Sequence, residues 1–600
     1  WDASHWLDSA TNSVPAANKL TPSTRKIFTS YRAPTTPFAF STMRFQWDSL
    51  NAAQQATLDT DGNGAARLEF VRGSRASEGS LFRVRPSNLL GDIVNSGVTY
   101  LAGPGPALIG PNFPGHATYR NNTRTRPAVV YVGSNDGMLH AFSGTTGREL
   151  FGYVPSAVLS KLVGYSAFNF RHEYMVDGTP MVGDFEKTGS TAASPNWGTL
   201  LVGGLGAGGR GYYALDISSQ STFATDSEAT LASALPIWEF TSAQDADLGF
   251  TFNEPSISPS TGAYRQIAKF ADATSTTGAW RVAVGNGYGS TAGNAALYLL
   301  DANTGAAPTK LVAYTNTTGT AGENGLSSPT PVDTDRDGLM DTVYAGDLRG
   351  NLHKFQFSRA SGSDFVLARP AETGGAWRYL GVVYSTSQPI TTAPSVVAAC
   401  QGSGWNVLFG TGKLNEDTDY ADTATRGFYN ILDSSPSSAL TVPAASVVPM
   451  GAFTSVDLGN GMVGRNWNTP NLNGARGWRM SFTGGERVLT NSTIPPDTGA
   501  VLFATTQPSG DVCTPGNSGY LMAVNICSGR IGDLLVNGQV VGGVAIDSSG
   551  VVKVSNTYTN TDARQTVVCN QDGCKGPDAP RLLGSSAPRG RYSWREILTK

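Results

Sequence analysis

Two distant segments of the chain align without a gap, "VYVGSNDGMLHAF" at residues 130–142 and "VYAGDLRGNLHKF" at residues 343–355. Both read V-Y-x-G-x-x-x-G-x-L-H-x-F: an apolar strand, a turn closed by Gly137 or Gly350, and a second alternating strand, which is β-hairpin grammar. Looser copies begin at Leu200, Arg281, Val407 and Val501, and a weaker hairpin, "VGGVAIDSSGVVKV", begins at Val541. A Pro-marked strand start recurs ahead of several of them, "GTPMVGDF" at Gly178, "NEPSISPS" at Asn253, "SSPTPVDTD" at Ser327 and "TTAPSVVA" at Thr391. A unit that cannot bury both faces of its own small sheet must stack on its neighbours, and four-stranded units repeated around an axis form a propeller.

The 71 Gly and 33 Pro suit many short strands joined by tight turns, so the expected class is all-β. Five or six units are visible, and seven blades are expected. Their spacing, roughly 60 to 95 residues, exceeds the usual 40 to 50, which requires insertions in the loops. A pair of β-sandwiches also has regular hairpins but leaves the gapless Leu-His pair unexplained. Residues 1–85 differ in character and are expected to form a lead-in segment with some helix, the remnant of a larger precursor, ahead of a propeller at 86–600. Within the lead-in, "WDSLNAAQQATL" from Trp47 reads as helix-forming residues after Ser49, a candidate cap.

Net charge is −3 with 15% charged residues and no run of Lys or Arg dense enough to follow a phosphate backbone, which argues against nucleic acid as a partner. No apolar segment approaches the roughly 18 to 20 residues that cross a bilayer. Among five cysteines, Cys513 with Cys527 and Cys569 with Cys574 form two local pairs, a spacing that suits disulfide-closed loops in an oxidising compartment. A zinc site would need His nearby, and the five His lie elsewhere. Cys400, after an apolar run, reads as a buried free thiol.

The most chemical stretch is "DTDRDGLMD". Asp333, Asp335, Asp337, the Leu339 carbonyl and Asp341 occupy positions 1, 3, 5, 7 and 9 of a calcium loop, with Gly338 at the sharp turn. Four carboxylates in nine residues, offset only by Arg336, repel one another unless a hard cation gathers them. The bland alternative is a solvated Asp-Gly turn. Position 12 is Tyr344 instead of the bidentate Glu of an EF-hand, so this would be EF-hand-like ligation between strands.

Other motifs read as structural. "LDTDGNGAARLEF" offers Asp59, Asp61 and Asn63 but puts Arg67 where a ligand belongs, which favours a capped turn over a second metal site. "KLNEDTDYAD" lacks regular ligand spacing and reads as a solvated loop. In "VRGSRAS", Ser74 stands where an Arg-Gly-Asp adhesion motif needs Asp. "GGLGAGGRG" runs into a strand, not the helix that a phosphate cradle needs. His140 and His353 hold equivalent repeat positions, which suggests packing or a backbone hydrogen bond. No G-x-S-x-G and no clustered triad residues appear.

At "VYVGSNDGMLHAFSGTTGRELFGYVPSAVLSKL" the chain resembles the C-terminal propeller of the PilY family, type IV pilus biogenesis factors and tip-located adhesins. "RPSNLLGDIVNS", "DTDRDGLMD", "VLFGTGK" and "GRYSWREI" extend the resemblance over nearly the whole chain. It implies a modified quinoprotein-like β-propeller without quinone chemistry, and calcium (Ca2+) on Asp333, Asp335, Asp337, Leu339 and Asp341. It further implies minor pilins of the tip complex as partners, a pilus-tip location reached through the periplasm, and calcium-dependent extension and retraction that support twitching and attachment. Contact with host or abiotic surfaces would belong to a family N-terminal region absent from these residues. The competing classes are a quinoprotein dehydrogenase (PQQ-dependent) and a purely structural adhesin with calcium as a passive staple. No adjacent Cys-Cys pair is present to pack on a quinone.

Overall fold

The computed structural model describes residues 2–582, except 8–13, 16–17, 34–38, 87, 259–261, 363, 436–440, 460, 496–497, 510–516, 533, 549–552, 559–563, 571–572 and 575–580. The "GRYSWREI" motif and Cys513 therefore lie outside the described residues. The described strands pair into seven sheets of four to six strands.

Alternation along each strand explains the stacking. In the third sheet, Val282 and Val284 join Leu200, Val202 and Tyr212 of the second in one buried cluster. Ala283 between them turns the other way, toward Val343, Ala345 and Phe355 of the fourth. The pattern continues along the chain. Tyr344 and Leu352 meet Val407 and Phe409, Leu408 and Phe428 meet Val501 and Phe503, and Leu502 and Leu521 meet Leu534 and Val536. Both faces of the inner sheets are covered, so their strands read as near-continuous apolar runs. Each fully buried Val, Leu or Phe contributes about 1.5–3 kcal/mol.

The recurring Pro has a structural reason. The Pro180 carbonyl accepts a bond from the Thr99 hydroxyl of the preceding sheet at 2.6 Å, and the Pro394 carbonyl accepts one from Thr330 at 2.6 Å. The Pro329 carbonyl takes the Gln266 amide at 3.3 Å. Proline has a carbonyl to offer and no N–H to leave unpaired, which suits a strand at a sheet edge.

Residues from the lead-in enter the first sheet. Strand Ile27–Arg32 pairs in parallel with Glu149–Val154, Ile27 opposite Gly152, and Phe40–Arg44 extends the sheet outward. The expected helix forms at Ala52–Leu58, later than anticipated. Asn51 caps it through a reciprocal box with Gln54, while Trp47–Ser49 makes a separate 3-10 turn, so Ser49 is not the cap.

Three expectations need correction. The "VGGVAIDSSGVVKV" segment is not a hairpin: Gly543–Ser548 pairs within the sixth sheet and Lys553–Tyr558 within the seventh. Cys400 is not a free thiol, because it forms a disulfide with Cys527 across 127 residues. That bond also removes Cys527 from the Cys513 pairing. Local spacing misled here because chain neighbours on a loop need not approach, whereas the fold brings Cα atoms of residues 400 and 527 to 5.5 Å. Cys569 and Cys574 are in register on adjacent antiparallel strands.

Candidate metal centre and the histidine hairpins

In the fourth sheet, Thr330–Val332 and Thr342–Gly346 are antiparallel, with Val332 opposite Thr342, so residues 333–341 form the turn of a hairpin. Arg336 at φ +65° and Gly338 at φ +93° turn the chain sharply enough to bring separated carboxylates together. Asp333, Asp335 and Asp341 present oxygens within 4.8 Å of one another. Asp337 lies outside this trio, with one oxygen accepting the Leu339 N–H at 2.8 Å.

The acids are held by the loop itself. Asp333 accepts the amides of Arg336 at 2.7 Å and Gly338 at 2.9 Å. Asp341 accepts the hydroxyls of Thr334 and Thr342 at 2.6 and 2.7 Å, and the Thr334 amide at 2.8 Å. Burial pushes Asp333 up to about 6 against its two amide bonds, with the charges of Asp337 and Asp335 adding to the rise. Burial also raises Asp341 to about 7 despite the Thr334 and Thr342 hydroxyls, and raises Asp337. A cluster of hard oxygen donors, partly desolvated and mutually repelling, fits a divalent cation with oxygen preference. Tyr344, where an EF-hand would place its Glu, is fully buried and donates its hydroxyl to Asp433 at 2.7 Å.

The loop is also clamped from outside. The connection from Thr99–Leu101 to Val129–Gly133 in the first sheet, residues 102–128, runs over its neighbours as a strap. Trp197 of the second sheet donates to the Pro114 carbonyl at 2.8 Å, and Lys269 of the third donates to the Asn112 carbonyl at 2.6 Å. Asn112 donates in turn to the Asp337 carbonyl at 2.9 Å. A Cβ on Gly338 would sit 3.0 Å from the Phe113 ring, a tight contact that the ring would have to yield to, and the positive φ favours glycine there in any case. Sequence reading missed this clamp because residues 112 and 337 are 225 positions apart.

The repeated histidines are satisfied by side chains, not backbone. His140 Nε2 lies 3.1 Å from Asp136 and Nδ1 2.8 Å from Glu149, and Glu149 pairs bidentately with Arg25 at 2.7 Å to each oxygen. Burial alone would lower the imidazole, but Asp136 and Glu149 outweigh it and raise it to about 9. Burial would raise Glu149, yet Arg25 and His140 hold it far below the usual carboxylate range. His353 instead sits between Asp347 at 2.9 Å and the Tyr379 hydroxyl at 3.0 Å.

The minor motifs resolve as structure. Asp61 pairs with Arg67 at 2.7 Å and Asp59 accepts the Gly64 amide, a turn between two helices. Arg72 is buried, donating to the carbonyls of Pro22, Arg25 and Phe45. The "KLNEDTDYAD" segment is ordered, not merely solvated: buried Arg487 gathers the carbonyls of Lys413, Asp419 and Asp422.

Stacked small antiparallel sheets with an all-oxygen acidic turn in one hairpin define a β-propeller carrying a candidate hard-cation loop. The chain belongs to the PilY1 β-propeller family: residues 90–449 match the family described as the PilY1 beta-propeller domain. It is 30% identical over 96% of its length to a type IV pilus biogenesis factor PilY1 homolog of Xylella fastidiosa, and 31% identical over 96% to type IV pilus biogenesis factor PilY1 of Pseudomonas aeruginosa strain UCBPP-PA14. It spans about half the length of these curated relatives, 44% and 52%. The crystal structure of the Pseudomonas aeruginosa PilY1 C-terminal domain matches over 81% of this chain and 100% of that one, at 27% identity and a TM-score of 0.58.

Proposed function

We propose that this chain is the propeller portion of a type IV pilus biogenesis factor acting at the pilus tip. In this reading, calcium held by Asp333, Asp335, Asp337, the Leu339 carbonyl and Asp341 controls extension against retraction, and hence twitching and attachment. The observation that carries it is the clamp on the loop: Asn112 on the Asp337 carbonyl and Phe113 against Gly338. A bound cation would neutralise the mutual repulsion of the acids. The protein's own groups do the rest. Arg336 and Gly338 set the turn, the Thr334 and Thr342 hydroxyls aim Asp341, and Asn112 and Phe113 link the loop's order to the strap over the second and third sheets.

Minor pilins are the partners that the family and the tip location favour. The seven stacked sheets are read as seven blades, with residues 1–85 a lead-in that completes the first. The role is binding, not catalysis. The curated relatives are named as pilus biogenesis factors, and the five cysteines include no adjacent pair of the kind a quinone packs on.

Calorimetry tests the site: the wild type should release heat with calcium, and Asp337→Ala should weaken or abolish it. No calcium heat in the wild type would reject the assignment. A variant that loses calcium yet supports normal piliation and twitching would reject the regulatory role. Anaerobic titration with pyrroloquinoline quinone should give no bound chromophore; a stoichiometric one would favour the enzyme class.

A further inference from the structure

A second, differently charged site lies between the first two sheets. A cleft of about 440 Å³ is lined by Arg32, Lys161 and Arg210, together with Ser156, Ser242 and Phe250 among others, and no Asp or Glu lines it among the described residues. Three cations in one cleft of a chain with net charge −3 are a local inversion of sign.

The cations are poorly answered by the protein. The Arg32 Nε is buried without a hydrogen-bond acceptor. Arg210 stacks on the Phe250 ring at 5.2 Å, which orients its planar fork and leaves its N–H groups to find acceptors elsewhere. The Lys161 ammonium donates to the Tyr174 carbonyl at 2.8 Å and has Glu173 only at 4.0 Å. Two buried acids act on the cations from outside the lining, Asp177 on Lys161 and Glu239 on Arg32. Glu239 is already engaged. Its oxygens are taken by Ser30, Tyr153 and the amide and hydroxyl of Ser156. Burial lowers both Arg32, against the charge of Glu239, and Lys161, against Glu173 and Asp177, so each cation is held where a further anion would stabilise it.

We propose that this cleft is a carboxylate-binding site, in which the Arg32 and Arg210 guanidinium groups and the Lys161 ammonium receive an acidic side chain or terminal carboxylate of a partner polypeptide. Planar guanidinium forks match a planar carboxylate through paired N–H donors, and an anion in the cleft relieves the repulsion among the cations. The cleft is large enough for a side chain and open enough for a chain to enter. This site is independent of calcium at the acidic loop.

The test is calorimetry on the whole 600-residue chain, at low and at physiological salt, with three probes: an acetylated, amidated Asp-Glu-Asp-Glu peptide, glutarate, and inorganic phosphate. The peptide is expected to bind, to weaken with salt, and to lose at least about tenfold in affinity in Arg32→Gln and in Arg210→Gln. Lys19→Gln, outside the cleft, should bind as the wild type does. Unchanged thermal midpoints and calcium heats in the variants show that they are folded. Glutarate binding with the same sensitivity while the peptide fails would place the carboxylate on a small molecule and reject the polypeptide source. Phosphate binding without carboxylate binding, equal binding of an Asn-Gln-Asn-Gln peptide, or no binding of any probe would each overturn the proposal.

Discussion

The hairpins at 130–142 and 343–355 share a sequence pattern and a buried His, yet their surroundings make them chemically different. In the first, the His140 carboxylate comes from Asp136, one residue before the turn glycine. In the second, it comes from Asp347, two positions earlier in the aligned pattern, where the first hairpin has Ser134. The other ring nitrogen meets Glu149 in one case and the neutral Tyr379 hydroxyl in the other. One hairpin thus holds a four-member ionic chain, Asp136–His140–Glu149–Arg25, and the other a shorter pair with a neutral end. Their approaches differ as well. The first is entered by the long strap 102–128, the second by the nine-residue acidic turn, and the strap of the first reaches the turn of the second through Asn112. A repeat conserves the steric slot for an imidazole, while the charge around it is free to differ between copies.

The largest expected effect separates the two His environments. Glu149→Ala leaves buried Arg25 without its carboxylate and His140 with Asp136 alone, and should cost about 3–5 kcal/mol in urea denaturation. The matched change, Tyr379→Phe, removes one neutral hydrogen bond and should cost about 1 kcal/mol. Equal costs would show that the ionic character of the first hairpin carries no weight.

Next in size is the acidic turn. With free calcium at a hundredfold excess over Kd, the wild type should gain about 2.7 kcal/mol, and Asp333→Asn should lose most of it. Hydrogen exchange should slow at 333–341 and also along the strap near residue 112, with no change at 134–137. Asn112→Ala should keep the first response and lose the second. A strap indifferent to calcium in the wild type would break the link between the two regions.

The smallest effect is in pH. A folded-state His140 raised to about 9 from an ordinary 6.5 stabilises the fold fully below 6.5, and that contribution is lost as pH rises through 9. The wild type should lose about 2 kcal/mol between pH 7 and 9. His140→Gln should flatten this limb. An unchanged slope in His140→Gln would mean that the imidazole is neutral in the fold.

Much of the architecture was legible because a two-residue period and a repeated hairpin are local properties. Val282, Ala283 and Val284 had to face alternate neighbours once they lay in a strand, and the Gly137 and Gly350 turns needed φ values of +94° and +85°. The acidic turn was legible for the same reason, since its ligands lie within nine residues. Position 12 could be excluded as a ligand from its identity alone. Asp337, by contrast, was counted with the other acids, and only the positions of the side-chain oxygens in the folded loop set it apart from the trio of Asp333, Asp335 and Asp341.

What tertiary structure alone decided are the pairings between residues far apart in the chain. Cys400 meets Cys527 because the fifth and sixth sheets are adjacent. Glu149 meets Arg25 because the lead-in strand adds in parallel to the first sheet. Arg32, Lys161 and Arg210 meet because the end of a strand, the start of a short helix and a loop converge between two sheets. The amino-acid sequence by itself determined the repeating unit, the alternation that buries both of its faces, and the acidic turn, because each is set by neighbours a few residues apart. The order in which strands joined sheets determined the disulfide, the ionic chain and the strap on the acidic turn, because those contacts exist only once distant segments share a surface.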